Sequence, residues 1–593
     1  MKKWLDLLSE EAGALFEAAG YERELGKVTV SNRPDLCEYQ CNGAMAAAKK
    51  YRKAPMAIAQ DILAAWQDRS VFMSVEIAPP GFLNLKISGD YIAAYLDRMG
   101  KEERFGWETG GTVKKVILDY GGPNVAKPLH VGHLRSAVIG ESMKHIMRYH
   151  GDDVTGDIHL GDWGLQMGLV ITELRKRLPD LVYFDRNYSG EWPKEAPFTV
   201  SELEEIYPYA SAKSKEDPAY YREALENTKA LQDGDPGYRQ LWKQIIAVST
   251  DDMKKNYARL KVEFDLWNGE STVHDLIPEM AEELKKKGFA YESDGALIVD
   301  VARDDDTKQI PPCMILKSDG AALYTTTDLA TIVDREEKFH PDEIVYITDK
   351  RQELHFEQVF RCAKKCGLAG ENTVLKHIGF GTVNGKDGHA LKTRDGGVMR
   401  LETLLDDINA AMLEKISTNP DIPPEEASAT ASTVALSAVK YGDLSNQPAK
   451  DYIFDLDKFT SFEGDTGPYI LYTMVRIRSI LRKYKEGRPQ TSDISFGDMK
   501  LNSPLPSPEK DLMTGLAGMN TMLDEAYQDL APNRICAFMY QICNEVNSFY
   551  HATRILSEQD EEKQQGYLAL LYLCDRVLSC CTALLGFDVP DRM

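Results

Sequence analysis

The stretch from Lys114 to Leu160 constrains the fold of this chain more than any other. Lys114-Lys-Val-Ile-Leu-Asp-Tyr120 is a compact apolar run that reads as a strand. Gly121-Gly-Pro-Asn-Val-Ala-Lys-Pro128 has loop chemistry. A helix is then predicted from about His130 to His150, Gly151-Asp-Asp stops it, and Val154-Thr-Gly-Asp-Ile-His-Leu160 reads as a second strand. Strand, crossover helix and strand in that order predict a doubly wound, Rossmann-like α/β sheet of parallel strands. Further strand-like runs follow at Ala296-Leu-Ile-Val-Asp-Val-Ala302, Met314-Ile-Leu-Lys-Ser-Asp319, Glu343-Ile-Val-Tyr-Ile-Thr348 and Leu375-Lys-His-Ile-Gly-Phe-Gly381, with helices between them.

The rest of the chain is arranged around this unit. At roughly 100–200 residues per domain, 593 residues call for three or four structural units. Residues 1–110 read as a small α+β domain. An amphipathic helix opens it, a helical stretch follows over Gly43–Trp66, and Ser74–Pro80 and Phe82–Ser88 read as strands. Phe105-Gly-Trp-Glu-Thr-Gly-Gly111 has linker composition. The catalytic α/β unit is expected over 111–407. It carries a polar helical insertion at about 173–260 that breaks at Asp233-Gly-Asp-Pro-Gly237. Residues 408–593 read as an all-α domain, interrupted once between about Gly487 and Pro508.

The net charge of −23 argues against a general nucleic-acid coat but leaves room for a local basic groove. No C-x-x-C pair occurs among the ten cysteines, so no zinc is expected, and the pattern suits reduced thiols in the cytoplasm. Acids interrupt the apolar positions of the first helix, unlike a secretory leader. No run of ~18 apolar residues predicts a membrane span.

The chemistry is expected where His130-Val-Gly-His133 opens a helix straight after the loop. A helix start presents free N–H groups and the positive end of its dipole, which suits phosphate. His130 and His133 share the face of the first turn, so both can donate to one phosphate as charge builds on it. Gly132 would let a base or ribose approach the backbone.

Gly121-Gly-Pro-Asn-Val-Ala-Lys-Pro-Leu-His-Val-Gly-His-Leu-Arg-Ser136 resembles the HIGH signature of class I aminoacyl-tRNA synthetases in its arginyl form, and the likeness runs the length of the chain. Asp157-Ile-His-Leu-Gly-Asp-Trp-Gly164, Tyr324-Thr-Thr-Thr-Asp-Leu-Ala330 and Asp349-Lys-Arg-Gln-Glu-Leu-His-Phe356 are similar to further family segments, as is the ending Gly586-Phe-Asp-Val-Pro-Asp-Arg-Met593. The second class I signature, KMSKS, is replaced by the degenerate Ala390-Leu-Lys-Thr-Arg-Asp-Gly396. Lys392 keeps its first lysine, whereas Asp395 stands at the second. The resemblance implies that Lys127 compensates, with Lys386 the next candidate.

It also implies a set of roles. His130, His133, Lys127 and Lys392 are the catalytic residues, joined at the ATP site by Gly132 and His355. Glu270, Tyr324 and Asp328 bind the guanidinium of arginine, a planar cation that cannot shed its proton. Asn124 and Gln352 take its α-amino and α-carboxyl groups. His159 is a second histidine that could face the nucleotide, although a structural histidine reads equally well. The C-terminal domain is expected to bind the anticodon, with Arg476, Arg478 and Arg482 on a basic helix, and residues 1–110 to touch the corner of tRNA. The implied function is ATP-dependent loading of L-arginine onto tRNA(Arg), with Mg²⁺ accompanying ATP, by a monomer without a membrane. A synthetase for another amino acid, a catalytically silent tRNA-binding relative and a small nucleotidyltransferase of the same superfamily are the competing readings. A cysteinyl enzyme would need a cysteine set at its pocket, and the long helical C-terminus is foreign to the nucleotidyltransferases.

Overall fold

The computed structural model describes residues 1–33, 35–67, 70–391, 399–488 and 495–593. The N-terminal unit packs helices on an antiparallel sheet of β1 (Val28–Val30), β2 (Tyr39–Cys41), β3 (Phe72–Ala78) and β4 (Phe82–Ile87), in the order β1-β2-β4-β3. The opening helix, Trp4–Ala18, buries Trp4, Leu8, Ala12 and Phe16 at helical spacing. The helical stretch over 43–66 divides in two, Gly43–Tyr51 and Pro55–Ala65. Pro55 is the physical cause. It holds Ala54 in extended backbone, and Arg52 closes the first helix with φ +50°.

The next strands are β5 (Lys115–Tyr120), β6 (Asp153–Leu160), β7 (Leu266–Gly269), β8 (Tyr291–Ser293), β9 (Ala296–Val299), β10 (Cys313–Leu316), β11 (Glu343–Asp349) and β12 (Val374–Phe380). Five of them form one parallel sheet in the order β12-β11-β5-β6-β7. The chain enters at the central strand β5, builds outward through β6 to β7, then returns to the other side of β5 with β11 and β12. The point where this order reverses lies at the carboxyl ends of β5 and β11. Strand β5 is buried from Val116 to Tyr120, which accounts for its unbroken apolar run. The crossover from β5 to β6 is the helix Val131–His150, stopped by Gly151 at φ +115°.

Two expectations are corrected here. The runs at 296–299 and 314–316 leave the parallel sheet and pair with β8 as a small antiparallel sheet, β10-β9-β8. No strand is expected over Phe264–Ser271, yet this run contains the edge strand β7, in register with Asp157–Leu160 of β6. Its Asn and Gly disfavour a strand locally, and pairing with β6 overrides that preference.

Beneath the sheet's functional edge lies a buried charge group. Arg335, on the helix Tyr324–Phe339, donates through one Nη2 to Asp119 of β5 at 2.6 Å and to Asp157 of β6 at 2.7 Å. All three are buried, and Tyr346 of β11 lies under the guanidinium at 5.4 Å. Burial pushes the Asp119 carboxyl up, against the guanidinium that pulls it down. Asp119, Asp157 and His159 are also close enough to hold a cation, but Arg335 already supplies one.

The helical insertion comprises Val200–Glu216, Pro218–Gln232 and Pro236–Arg259. The C-terminal part contains the helices Leu401–Ser417, Pro424–Leu444, Gly467–Gly487, Pro508–Leu516, Met519–Gln528, Asn533–Ala552 and Glu561–Leu585. The last is long and apolar enough to cross a membrane, yet 67% of its apolar window is buried in the fold. It packs on the crossover helix, where Ser142 Oγ donates to the Leu584 carbonyl at 3.0 Å. The N-terminal unit and the helical C-terminal part also touch. Lys510 donates to the Ile87 carbonyl at 2.6 Å and pairs with Glu38 at 2.5 Å.

Arg335→Met leaves two buried carboxylates unpaired and is expected to cost about 3–5 kcal/mol of stability. Urea unfolding at neutral pH measures this loss. Adding Asp119→Asn and Asp157→Asn to the same chain should recover most of it, because the uncompensated charges are then gone.

Candidate active site

The loops that leave the carboxyl ends of the parallel strands carry nearly all the candidate residues. After β5 the chain turns sharply at Ala126, a non-glycine with φ +59°. Its N–H donates to Ser249 Oγ of the insertion at 3.0 Å, which fixes this strained turn in place. Asn124 meets Gly161 across the neighbouring loop, and the Val125 N–H and Gly161 N–H close that contact in both directions at 3.1 Å. The Lys127 ammonium comes down on the ring of Tyr207, 4.3 Å from its centroid.

His130 caps the helix rather than lying in its first turn. The Gly132 N–H donates to His130 Nδ1 at 3.0 Å, and the His130 N–H donates to His133 Nδ1 at 3.1 Å. A ring nitrogen that accepts carries no proton, so each neutral imidazole bears its proton on Nε2. The two ring centroids lie 3.9 Å apart, with the planes tilted by 35°. Burial, then His130, push His133 down to about 3, and burial, then Lys127, lower His130. Both rings are therefore neutral N–H donors at physiological pH. The structure also gives Gly132 an internal reason: a Cβ there would sit 2.7 Å from the His130 ring.

A second cluster forms around acids. Glu270 follows β7, Asp162 follows β6, and Tyr324 and Asp328 share one face of the helix Tyr324–Phe339. Burial, then the Asp162 and Asp328 carboxylates, push Glu270 up to about 8. The Ser271 N–H and hydroxyl hold Asp162 at 2.9 and 2.6 Å. Gly269 is required there, because a Cβ would lie 2.6 Å from the Asp162 carboxyl carbon. Asp328 Oδ2 lies 2.5 Å from His355 Nε2. Tyr324 is 70% exposed as a residue, and desolvation of its phenol, then the Glu270 carboxylate, raise it above its ordinary value. Tyr207, on the insertion helix Val200–Glu216, has Lys127 on its ring and Tyr324 as a neighbour.

The remaining candidates are placed as follows. Gln352 is exposed at the carboxyl end of β11, one residue before the helix Glu353–Cys366. His355 faces Asp328, and His159 Nε2 lies 3.4 Å from Thr331 Oγ1. Lys386 pairs with Asp455 at 3.1 Å. Lys392 lies outside the described residues. The chain beyond it returns onto the histidine segment: the Val131 N–H donates to the Met399 carbonyl at 3.0 Å, and the Leu401 N–H to the Leu129 carbonyl at 2.9 Å. On the distant helix Gly467–Gly487, Arg476 bonds Asn547 at 2.6 Å and lies against Tyr472 and Tyr550. Arg478 turns into the bundle to pair with Asp575 at 2.7 Å, and Arg482 stays near Glu486 at 3.9 Å. Asp162 was not singled out from the sequence. Its place immediately after a parallel strand was the available signal.

Arranged this way, the site offers neutral N–H donors and a lysine at one end and a group of three neighbouring carboxyls at the other. Known proteins resemble this chain along its whole length. The profile described as "tRNA synthetases class I (R), catalytic domain" matches residues 99–456. "DALR anticodon binding domain" matches 470–593, and "Arginyl tRNA synthetase N terminal domain" matches 2–87. Curated arginine--tRNA ligases of Agathobacter rectalis and Alkaliphilus oremlandii are 56% and 51% identical, covering 100% and 99% of this chain and 100% of each relative. The arginyl-tRNA synthetase structures of Plasmodium falciparum and Thermus thermophilus share the fold at TM-scores of 0.78 and 0.75, with 24% and 22% identity over 100% of both chains.

A cation entering the acid cluster favours ionised Glu270. Because this carboxyl titrates near 8 when the cluster is empty, cation binding at pH 7 should release a proton, and affinity should rise as pH approaches 8. Calorimetry with arginine in buffers of different ionisation heat measures the release. Glu270→Gln should abolish it, and pH-independent uptake by the parent protein would contradict this assignment.

Proposed function

The chain belongs to the class I arginyl-tRNA synthetase family, and from that premise we propose how its residues divide the work of an arginine--tRNA ligase. The observation that carries the reading is the half-buried acid cluster of Glu270, Asp162 and Asp328 beside Tyr324. Such a cluster requires a permanent cation, and the planar guanidinium of L-arginine matches carboxylates with fork geometry. Glu270 and Asp328 pair with it, with His355 fixing the second oxygen of Asp328. Asn124 and Gln352 receive the α-amino and α-carboxyl groups. An uncharged amino acid leaves buried carboxylates unpaired, which supports discrimination of roughly 10⁴-fold by the pocket itself.

ATP enters as substrate with its Mg²⁺, its α-phosphate at the helix start and its base and ribose over Gly132. The arginine carboxylate attacks the α-phosphorus in line and pyrophosphate leaves. Charge building on the phosphoryl oxygens is met by Nε2–H of His130 and His133 and by Lys127, with Lys392 as the further lysine. These groups work by position and electrostatics. The terminal ribose hydroxyl of tRNA(Arg) then attacks the adenylate carbonyl, and AMP leaves.

The units proposed for tRNA are the N-terminal domain (1–110) at its corner and the helical domain (408–593) at its anticodon, flanking the catalytic domain (111–407). Arg476 and Arg482 suit phosphate or base contact. Arg478 is engaged within the bundle. We take the enzyme to work as a cytoplasmic monomer.

Exchange of labelled pyrophosphate into ATP, run with each amino acid in turn and with tRNA present, tests the assignment. Arginine alone should support exchange, and exchange with cysteine or leucine but not arginine would sink it. Asp328→Ala should raise the arginine KM by roughly 10- to 150-fold, the worth of a lost charged hydrogen bond, with little change in the ATP KM. Equal rises in both would remove Asp328 from the guanidinium.

A further inference from the structure

Arg135 lies in the signature segment, yet the chemistry above does not use it. It sits on the helix Val131–His150, five residues after His130, and is 1% exposed. Its guanidinium holds three separate pieces of chain. Nε donates to Asp443 Oδ2 at 3.1 Å, and Nη1 donates to the carbonyls of Gly381 at 3.0 Å and Lys450 at 2.8 Å. Tyr452 covers it, with the ring centroid 5.1 Å away, and donates its own hydroxyl to Asp443 Oδ2 at 2.9 Å.

Each piece leads somewhere useful. Gly381 is the first residue after β12, where the chain departs towards Lys386. Asp443 ends the helix Pro424–Leu444, which belongs to the helical part. Lys450 and Tyr452 run beside the chain leaving β12, joined to it by the Gly381 N–H to the Pro448 carbonyl at 2.9 Å and the Tyr452 N–H to the Thr382 carbonyl at 3.2 Å. On the other side of the helix start, Met399 and Leu401 pair with Val131 and Leu129. The histidine segment is thus gripped from both directions, and Arg135 is the side chain that makes the grip on the β12 side.

Stability does not explain this arrangement. Taking a guanidinium out of water costs several kcal/mol, and an apolar residue of like volume often serves a core as well or better. The fork is also only half made. Arg135 Nη2 and Asp443 Oδ1 are buried with no hydrogen-bond partner among the described residues, whereas a bidentate pair would use both. The arrangement buys geometry.

We propose that Arg135 is a positioning residue for adenylate formation: it holds the His130 and His133 donors in register with the chain leaving β12 and with the helical domain. The proposal rests on the functional reading above. In-line transfer tolerates little misplacement, and an error of about 1 Å costs on the order of 100-fold in rate.

The test is arginine-dependent pyrophosphate exchange by the full-length enzyme with tRNA present, with rates normalised to active sites titrated by adenylate formation. Arg135→Lys keeps the charge and loses the three-way fork. It should lower kcat about 10- to 100-fold, with the KM values for arginine and ATP within about twofold of the parent. Tyr452→Phe keeps the ring and removes only the hydroxyl bond, and it should lower the same kcat by a smaller factor. If the lysine variant does not fold, Tyr452→Phe decides alone. A kcat per titrated site equal to that of the parent, or an arginine KM that rises in step with the loss of kcat, overturns the positioning role. A parent enzyme that exchanges with another amino acid overturns the functional reading instead, and the ratio of variant to parent remains measurable with that amino acid.

Discussion

Everything at the cleft depends on the common direction of five strands. Because β12, β11, β5, β6 and β7 all run the same way, each delivers the chain to the same edge of the sheet. The histidine segment, Asp162, Glu270, Gln352 and the chain towards Lys386 each follow one of these strands. A parallel sheet allows this convergence only with crossovers between strands, and here those crossovers also bring material back. The insertion returns Tyr207 to Lys127, and the helix before β11 returns Tyr324 and Asp328 to Glu270. Arg335 joins β5 and β6 to that helix from below, so the acid end rests on a buried guanidinium.

Burial sets the electrostatics of the two ends in opposite ways. At the histidine end it keeps the imidazoles neutral, so each ring offers an Nε2–H whose protonation does not change with small shifts of pH. At the acid end burial, then the Asp162 and Asp328 carboxylates, hold the Glu270 carboxyl up at about 8. The same desolvation therefore removes charge from groups meant to donate and reserves charge in a group meant to pair. The backbone takes part directly, since the Gly132 and His130 N–H groups choose the histidine tautomers.

Much of the plan was legible because its signals are local. The apolar run of Lys114–Tyr120, the loop and the helix ending at Gly151 obey short-range rules of periodicity and capping, and they appear within a residue or two of their expected limits. The four-residue spacing of Tyr324 and Asp328 likewise becomes a shared helical face. Other features were not legible. Strand β7 exists only because β6 lies beside it, since Leu266-Trp-Asn-Gly269 has little strand preference of its own. The run at Ala296–Val299 looks like any other apolar strand, and nothing local says that it pairs with β10 outside the main sheet. The break at Arg52 needed only Pro55, and that signal was present in the sequence.

The sequence by itself determined the fold class, the helix start at His130 and the family, since each rests on residues close together in the chain or on a likeness along its whole length. Tertiary structure alone decided which charges meet. Arg135 finds Asp443 across 308 positions and Arg335 finds Asp119 across 216, and no pattern of composition or spacing reaches that far. A surface lysine or arginine and a buried one are the same letter. What separates a solvated charge from one that positions a catalytic helix is the desolvation that only the folded chain imposes.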